Sequence, residues 1–184
     1  MSFVVLYDAN VLYPNTLRDL LIRLGQSGIV QAKWTDQILD EMFKHLGINR
    51  PNLGEDHLGR LCGLMNGAIA DVLVTGYEDL IESVSLPDPD DRHVLAAAIR
   101  CTAQVFVTNN LRDFPAAALT PWNIEAKSAD DFVLSQIYVD AKTVYACVQQ
   151  IVDSRRRDPA TIEDVLAQLE RSGLVDATAA LRSS

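Results

Sequence analysis

The chain has 184 residues and a mass of 20.3 kDa, the size of one compact domain or of one domain with an appendage. Hydrophobic residues make up 48% and charged residues 22%, which excludes a disordered or collagen-like chain, and a core can form at this length without disulfides or a structural metal. The net charge of −9 excludes histone-like coating of DNA but not a nuclease, because clustered carboxylates that hold divalent cations reverse the local sign.

The opening Met-Ser-Phe-Val-Val-Leu-Tyr-Asp lacks a basic segment ahead of its apolar run and reads as neither leader nor anchor. No later apolar stretch approaches the ~20 residues of a membrane span, so a cytoplasmic location is expected. Phe3 to Tyr7 is a strand pattern buried on both faces. Pro14 and Asn15 open an amphipathic helix through Leu17, Leu20, Leu21 and Leu24, closed near Gly25 to Gly28. Thr35 or Asp36 caps the next helix, with apolar residues Ile38, Leu39, Met42, Phe43 and Leu46. A further helix is expected over Glu55 to Asp71 and a second strand over Leu80 to Val84. Asp88 then suits an N-cap, Pro89 the N1 position and Asp91 the N3 position of a helix rich in small residues. Val105 to Thr108 and Ile124 to Ala126 complete the predicted strands. Alternating strands and helices imply an α/β fold with a parallel sheet flanked by helices. After Lys127 only helical patterns follow, at 131–138, 141–152, 162–169 and beyond Gly173. The expected division is therefore an α/β unit over 1–127 and an all-helical C-terminal extension over 128–184.

In open α/β sheets ligands bind beyond the carboxyl ends of the strands. Asp8 and Asn10 follow the first predicted strand, Asp88, Asp90 and Asp91 the second, and Thr108, Asn109, Asn110 and Asp113 the third. Each has an ordinary explanation as a turn residue or a helix-terminal acid. Acids after three strands at once are harder to explain so. Converging carboxylates repel by roughly 3 kcal/mol per pair at 5 Å and an effective dielectric of 20, and oxygen ligands of this kind suit Mg²⁺ or Mn²⁺. Cys62, Cys101 and Cys147 form no C-x-x-C pair and are expected to be reduced, mostly buried thiols. His45, His57 and His93 lack a shared ligand spacing and read as structural or surface residues; His93, two positions after Asp91, points to another helix face. Arg155-Arg-Arg157 is read as a solvated helix end, with an RNA or antitoxin contact as the alternative.

Four blocks carry a family resemblance: VVLYDANVL at Val4 to Leu12, ILDE at Ile38 to Glu41, PDDRHVLAAA at Pro89 to Ala98, and VTNNLRDF at Val107 to Phe114. In this order they resemble the signature blocks of the PIN domain, a family of Mg²⁺- or Mn²⁺-dependent ribonucleases that includes VapC-type toxins. The resemblance implies that Asp8, Glu41, Asp91 and Asp113 are the catalytic, metal-holding acids. Glu41 would otherwise read as a solvated helix residue. It further implies supporting roles for Asn10, Thr108 and Asn110, and leaves Asp40 and Asp90 as decoys. The implied activity is hydrolysis of RNA phosphodiesters by a metal-activated water, with RNA as substrate, a cognate antitoxin as partner and a homodimer as a further expectation. Two alternatives remain: a PIN-like module used only for protein binding, and a phosphatase of the HAD type. The latter wants a second acid where Asn10 stands.

Overall fold

The β-branched and aromatic run at the N-terminus forms the central strand of a four-stranded parallel sheet in the computed structural model, which describes residues 2–184. Strand β1 (Phe3–Tyr7) pairs on one side with β2 (Val30–Lys33), Phe3 opposite Val30, and on the other with β3 (Val105–Val107), Val5 opposite Val105. Strand β4 (Glu125–Lys127) pairs with β3, giving the order β2-β1-β3-β4. All strands run the same way, so their carboxyl ends share one rim. The chain leaves β1 for β2 on one side and later returns to β3 on the other. The order thus reverses between β1 and β3, and a crevice opens there.

Helix α1 (Ala9–Leu12) is a single turn started by the Asp8 side chain, and α2 (Asn15–Ser27) follows, ending at Gly28 with φ +83°. Helix α3 (Asp36–Asn49) is capped by Thr35, whose hydroxyl accepts from the Ile38 amide, and α4 (Glu55–Ala68) comes next. A 3-10 turn over Pro89–Asp91 leads into α5 (Arg92–Arg100). Its run Val94 to Ala98 is buried throughout, because small side chains let the helix lie close to its neighbours. A short α6 (Ala116–Leu119) precedes β4.

The expected strand at 80–84 is instead a 3-10 helix, Glu78–Ser83, packed on α5. Strand-like pairing beside β2 is taken up by Trp34 and the 72–74 segment, through Trp34 N–H to the Val72 carbonyl at 3.1 Å and Val74 N–H to the Trp34 carbonyl at 2.9 Å. Strand β2 was not expected. It alternates buried and more exposed positions over four residues with Gln31 and Lys33 among them, which suits a sheet edge and leaves no apolar run to read.

The C-terminal region is helical: α7 (Ala129–Ser154), α8 (Ile162–Arg171) and α9 (Val175–Arg182). Helix α7 breaks at Asp140 (φ −156°, ψ 80°), between the two helical patterns read from sequence. It packs on α2, and buried apolar residues from Val5 to Leu181 form one continuous core. Tyr7 of β1 meets Phe132 of α7 edge to face at 5.9 Å. Arg155 is not a solvated helix end: its guanidinium donates to Gln168 Oε1 at 2.6 Å and Thr16 Oγ1 at 2.9 Å, linking α7, α8 and α2. Of the three cysteines only Cys147 is buried; Cys62 and Cys101 are partly exposed. No helix is long and apolar enough to cross a membrane among the described residues.

Candidate metal centre

Asp8 emerges from β1 at the reversal point of the sheet and is 7% exposed. Three donors fix its carboxylate. Oδ1 accepts from the Ala9 amide at 2.8 Å, and Oδ2 accepts from Asn10 Nδ2 at 3.1 Å and from the Thr108 hydroxyl at 2.9 Å. Thr108, at the end of β3, is fully buried, and its oxygen also accepts from Asn10 Nδ2 at 3.0 Å and the Asn110 amide at 3.1 Å. One hydroxyl thereby locks two strand ends together. Burial pushes the Asp8 carboxyl up, while the Thr108 and Ala9 hydrogen bonds oppose the rise.

Asp8, Glu41 and Asp91 line one cavity of about 310 Å³, with Asn10 and Asn110 on its wall. Tyr13, His45 and Asn49 form its other side. The last two lie one and two turns beyond Glu41 on the same face of α3, and Asn49 Nδ2 donates to the Tyr13 hydroxyl at 2.7 Å. Asp113 does not line this cavity. It stands beside Asp91 and Asp88, where one carboxylate oxygen from each of the three lies within 4.8 Å of the others. Asn110 Nδ2 holds the Asp113 carboxylate at 2.7 Å. Asp91 therefore faces acids on both sides. Its carboxyl is pushed up to about 6, first by burial and then by Asp88, Asp8, Asp113 and Glu41.

The cluster has the properties a divalent cation requires. The donors are all carboxylate or amide oxygens, and Asp91 Oδ2 is buried without a hydrogen-bond partner. None of Asp8, Asp88, Asp91 and Asp113 pairs with a Lys or Arg among the described residues. A bound cation would supply the missing countercharge and occupy the orphaned oxygen.

Three contributors lie outside the four acids and three supporting residues that the resemblance implies, although Asp88 and Asn109 were among the polar residues expected at the rim. Asp88 was placed at the cap, and it does accept from the Asp90 amide at 2.9 Å, but it also belongs to the acid cluster. Asn109 joins the site to the C-terminal helices. Its amide donates to Asn10 Oδ1 at 2.9 Å, and its own Oδ1 accepts from the Ala129 amide at the start of α7 at 3.0 Å. His93 is buried at 4% exposure, and its Nε2 lies 2.7 Å from Glu41 Oε1. The available signal was a histidine in the first turn of α5, directly ahead of the apolar run Val94 to Ala98. Asp40 and Asp90 are exposed, and neither lines the cavity.

Two sequence families match the chain: PIN domain over residues 4–112 and VapC50 C-terminal domain over residues 129–183. Over 119 residues, covering 65% of this chain and 69% of the relative, it is 38% identical to the "Putative ribonuclease VapC50" of Mycobacterium tuberculosis (strain ATCC 25618 / H37Rv). No solved structure matches the chain.

Proposed function

Because the chain belongs to the PIN-domain family, we propose that it is a VapC-type endoribonuclease toxin that acts in the cytoplasm and depends on Mg²⁺ or Mn²⁺. The observation that carries the reading is the group of unpaired carboxylates around Asp91 at the sheet's reversal point, with the oxygen-only donor set such ions take. Asp8, Glu41, Asp91 and Asp113 are the residues that would hold the ion, and Asp88 adds charge beside them. When bound, the ion lowers the pKa of a water and offsets charge on the phosphodiester being hydrolysed. The chain's own part is positional. Thr108 and Asn10 orient Asp8, Asn110 orients Asp113, and the acids exclude a second anion until a cation is present.

The unit over 1–127 would carry the chemistry and the extension over 128–184 would brace it through Asn109 and Arg155. A cognate antitoxin would inhibit by placing an Arg or Lys among the acids, supplying the cation's charge without its chemistry. Exposed Tyr138 and Val139, next to the Asp140 break, support a protein contact on α7 for such a partner, with a homodimer as the other outcome. The test is cleavage of structured RNA with Mn²⁺, with Mg²⁺ and with excess EDTA. Loss of cleavage in EDTA with recovery on added Mn²⁺ is expected. Undiminished cleavage in chelator would overturn the reading.

A further inference from the structure

Asp8 and Glu41 face the same cavity but are held very differently. Asp8 is buried and fixed by three donors. Glu41 sits on α3 with a side chain 42% exposed, and among the described residues its only side-chain hydrogen bond is the 2.7 Å contact with His93 Nε2. A long, half-exposed glutamate with one anchor depends on that anchor for its orientation. The other ring nitrogen, His93 Nδ1, is buried without a partner. A carboxylate oxygen only accepts, so the 2.7 Å contact calls for the ring hydrogen on Nε2. His93 does not line the cavity, and its one side-chain hydrogen-bond contact among the described residues is with Glu41.

We propose that His93 is a positioning residue whose Nε2–H donates to Glu41 Oε1 and leaves Oε2 presented to the divalent cation. The proposal rests on the metal-dependent reading above and adds a residue to it. The segment 91–93 then serves the site twice: Asp91 contributes a carboxylate, and His93, two residues on, reaches across to α3 and steadies another. This is the familiar relation of carboxylate, histidine and metal with the order changed, the histidine holding a ligand instead of being one.

Titrating Mn²⁺ into the full chain at one pH tests it. His93→Leu should weaken Mn²⁺ binding by about 10- to 100-fold. His93→Gln, whose amide nitrogen can stand where Nε2 does, should restore most of it. In a Glu41→Gln background, His93→Leu should add no further loss. RNA cleavage by His93→Leu should recover at high Mn²⁺, because the defect lies in holding the ion. Wild-type affinity in His93→Leu, equal losses in the Leu and Gln variants, or losses that multiply in the double variant would each overturn the proposal. If the wild type takes up no Mn²⁺, the metal reading fails separately, and ¹⁵N shifts of the wild-type ring then judge the contact. Nε2 protonation that responds to Glu41→Gln supports it, and Nδ1 protonation overturns it.

Discussion

The two ends of this chain treat carboxylates in opposite ways. In the C-terminal helices several acids are held by a partner. Asp130 accepts from the Asp176 and Ala177 amides at 3.0 and 2.8 Å and so starts α9. Asp164 completes a capping box with Thr161, and Arg182 joins Glu163 and Glu170. At the sheet rim, Asp8, Asp88, Asp91 and Asp113 stand near one another with no Lys or Arg paired to them among the described residues. One arrangement stabilises a fold. The other opposes it, and local rules broken at a single place mark where function resides.

The same substitution class should therefore have opposite consequences at the two ends. Asp91→Asn should lower RNA cleavage by about 10²–10³-fold, the size of losing one pre-organised charge-stabilising group. It should also make the metal-free protein more stable, since a strained acid is removed. At the other end, Asp130→Ala leaves two amides of α9 without acceptors. That loss costs about 1–2 kcal/mol, a fall in Tm of roughly 2–8 °C for a chain of this size, with cleavage and Mn²⁺ affinity unchanged. Cleavage rates and thermal melts of the two variants decide the matter. If both variants lose stability alike and both keep activity, the contrast between the two ends is gone.

A smaller effect sharpens the contrast by pH. The folded-state pKa of Asp91 is raised from 3.8 to about 6, so the native state holds this proton more tightly than the unfolded chain does. The uncharged form is thus favoured by folding. Its stabilising effect is present below pH 4 and is lost as pH rises towards and through 6. Asp8 shifts in the same direction. In EDTA, the Tm of wild type minus that of Asp91→Asn should therefore fall between pH 4.5 and pH 7. After allowance for solvent screening of a partly exposed group, the change is about 1 kcal/mol or less. Added Mn²⁺ should reverse the trend at the upper pH in wild type only. A difference in Tm that does not vary with pH would show that Asp91 titrates normally.

What could be read from the sequence follows the range of the interactions involved. Strand β1, and the polar residues that follow β1 and β3, were legible because an apolar run and a following polar residue are local signals; Asp88 and Asp91 follow a 3-10 helix and not the strand expected there. Strand β2 was not, because Val30 to Lys33 owes its state to pairing with β1. The segment 78–83 misled in the reverse sense: its apolar residues suggested a strand, but its neighbour is α5. His93 shows the same limit within the site. Its two-residue offset from Asp91 does direct it to another helix face, as expected, but that face meets Glu41, 52 residues away in the chain. No local pattern carries such a contact. The family resemblance supplied Glu41 for the same reason, since on α3 alone it is one more polar helix residue.

The smallest effect separates Asp88 from Asp90. Both sit at the head of the 89–91 turn, both are exposed, and either would serve as a helix-terminal acid. Only Asp88 lies with Asp91 and Asp113, and of the neighbouring charges it raises the Asp91 carboxyl most. Asp88→Asn keeps the cap, because an Asn side-chain oxygen accepts from the Asp90 amide as well as an Asp does. What it removes is one negative charge from the cluster. Mn²⁺ affinity should then fall about threefold, near 0.7 kcal/mol by the conversion of 1.36 kcal/mol per tenfold, and the Asp91 titration should move down. Asp90→Asn removes an exposed charge that no cluster shares, and both measurements should stay at wild-type values, with stability within about 0.5 kcal/mol. Calorimetric Mn²⁺ titrations and NMR titration of the Asp91 carboxyl distinguish the pair. Equal responses from the two variants would mean that Asp88 acts on the site only as part of a diffuse negative field, and that the cluster closes at Asp91 and Asp113.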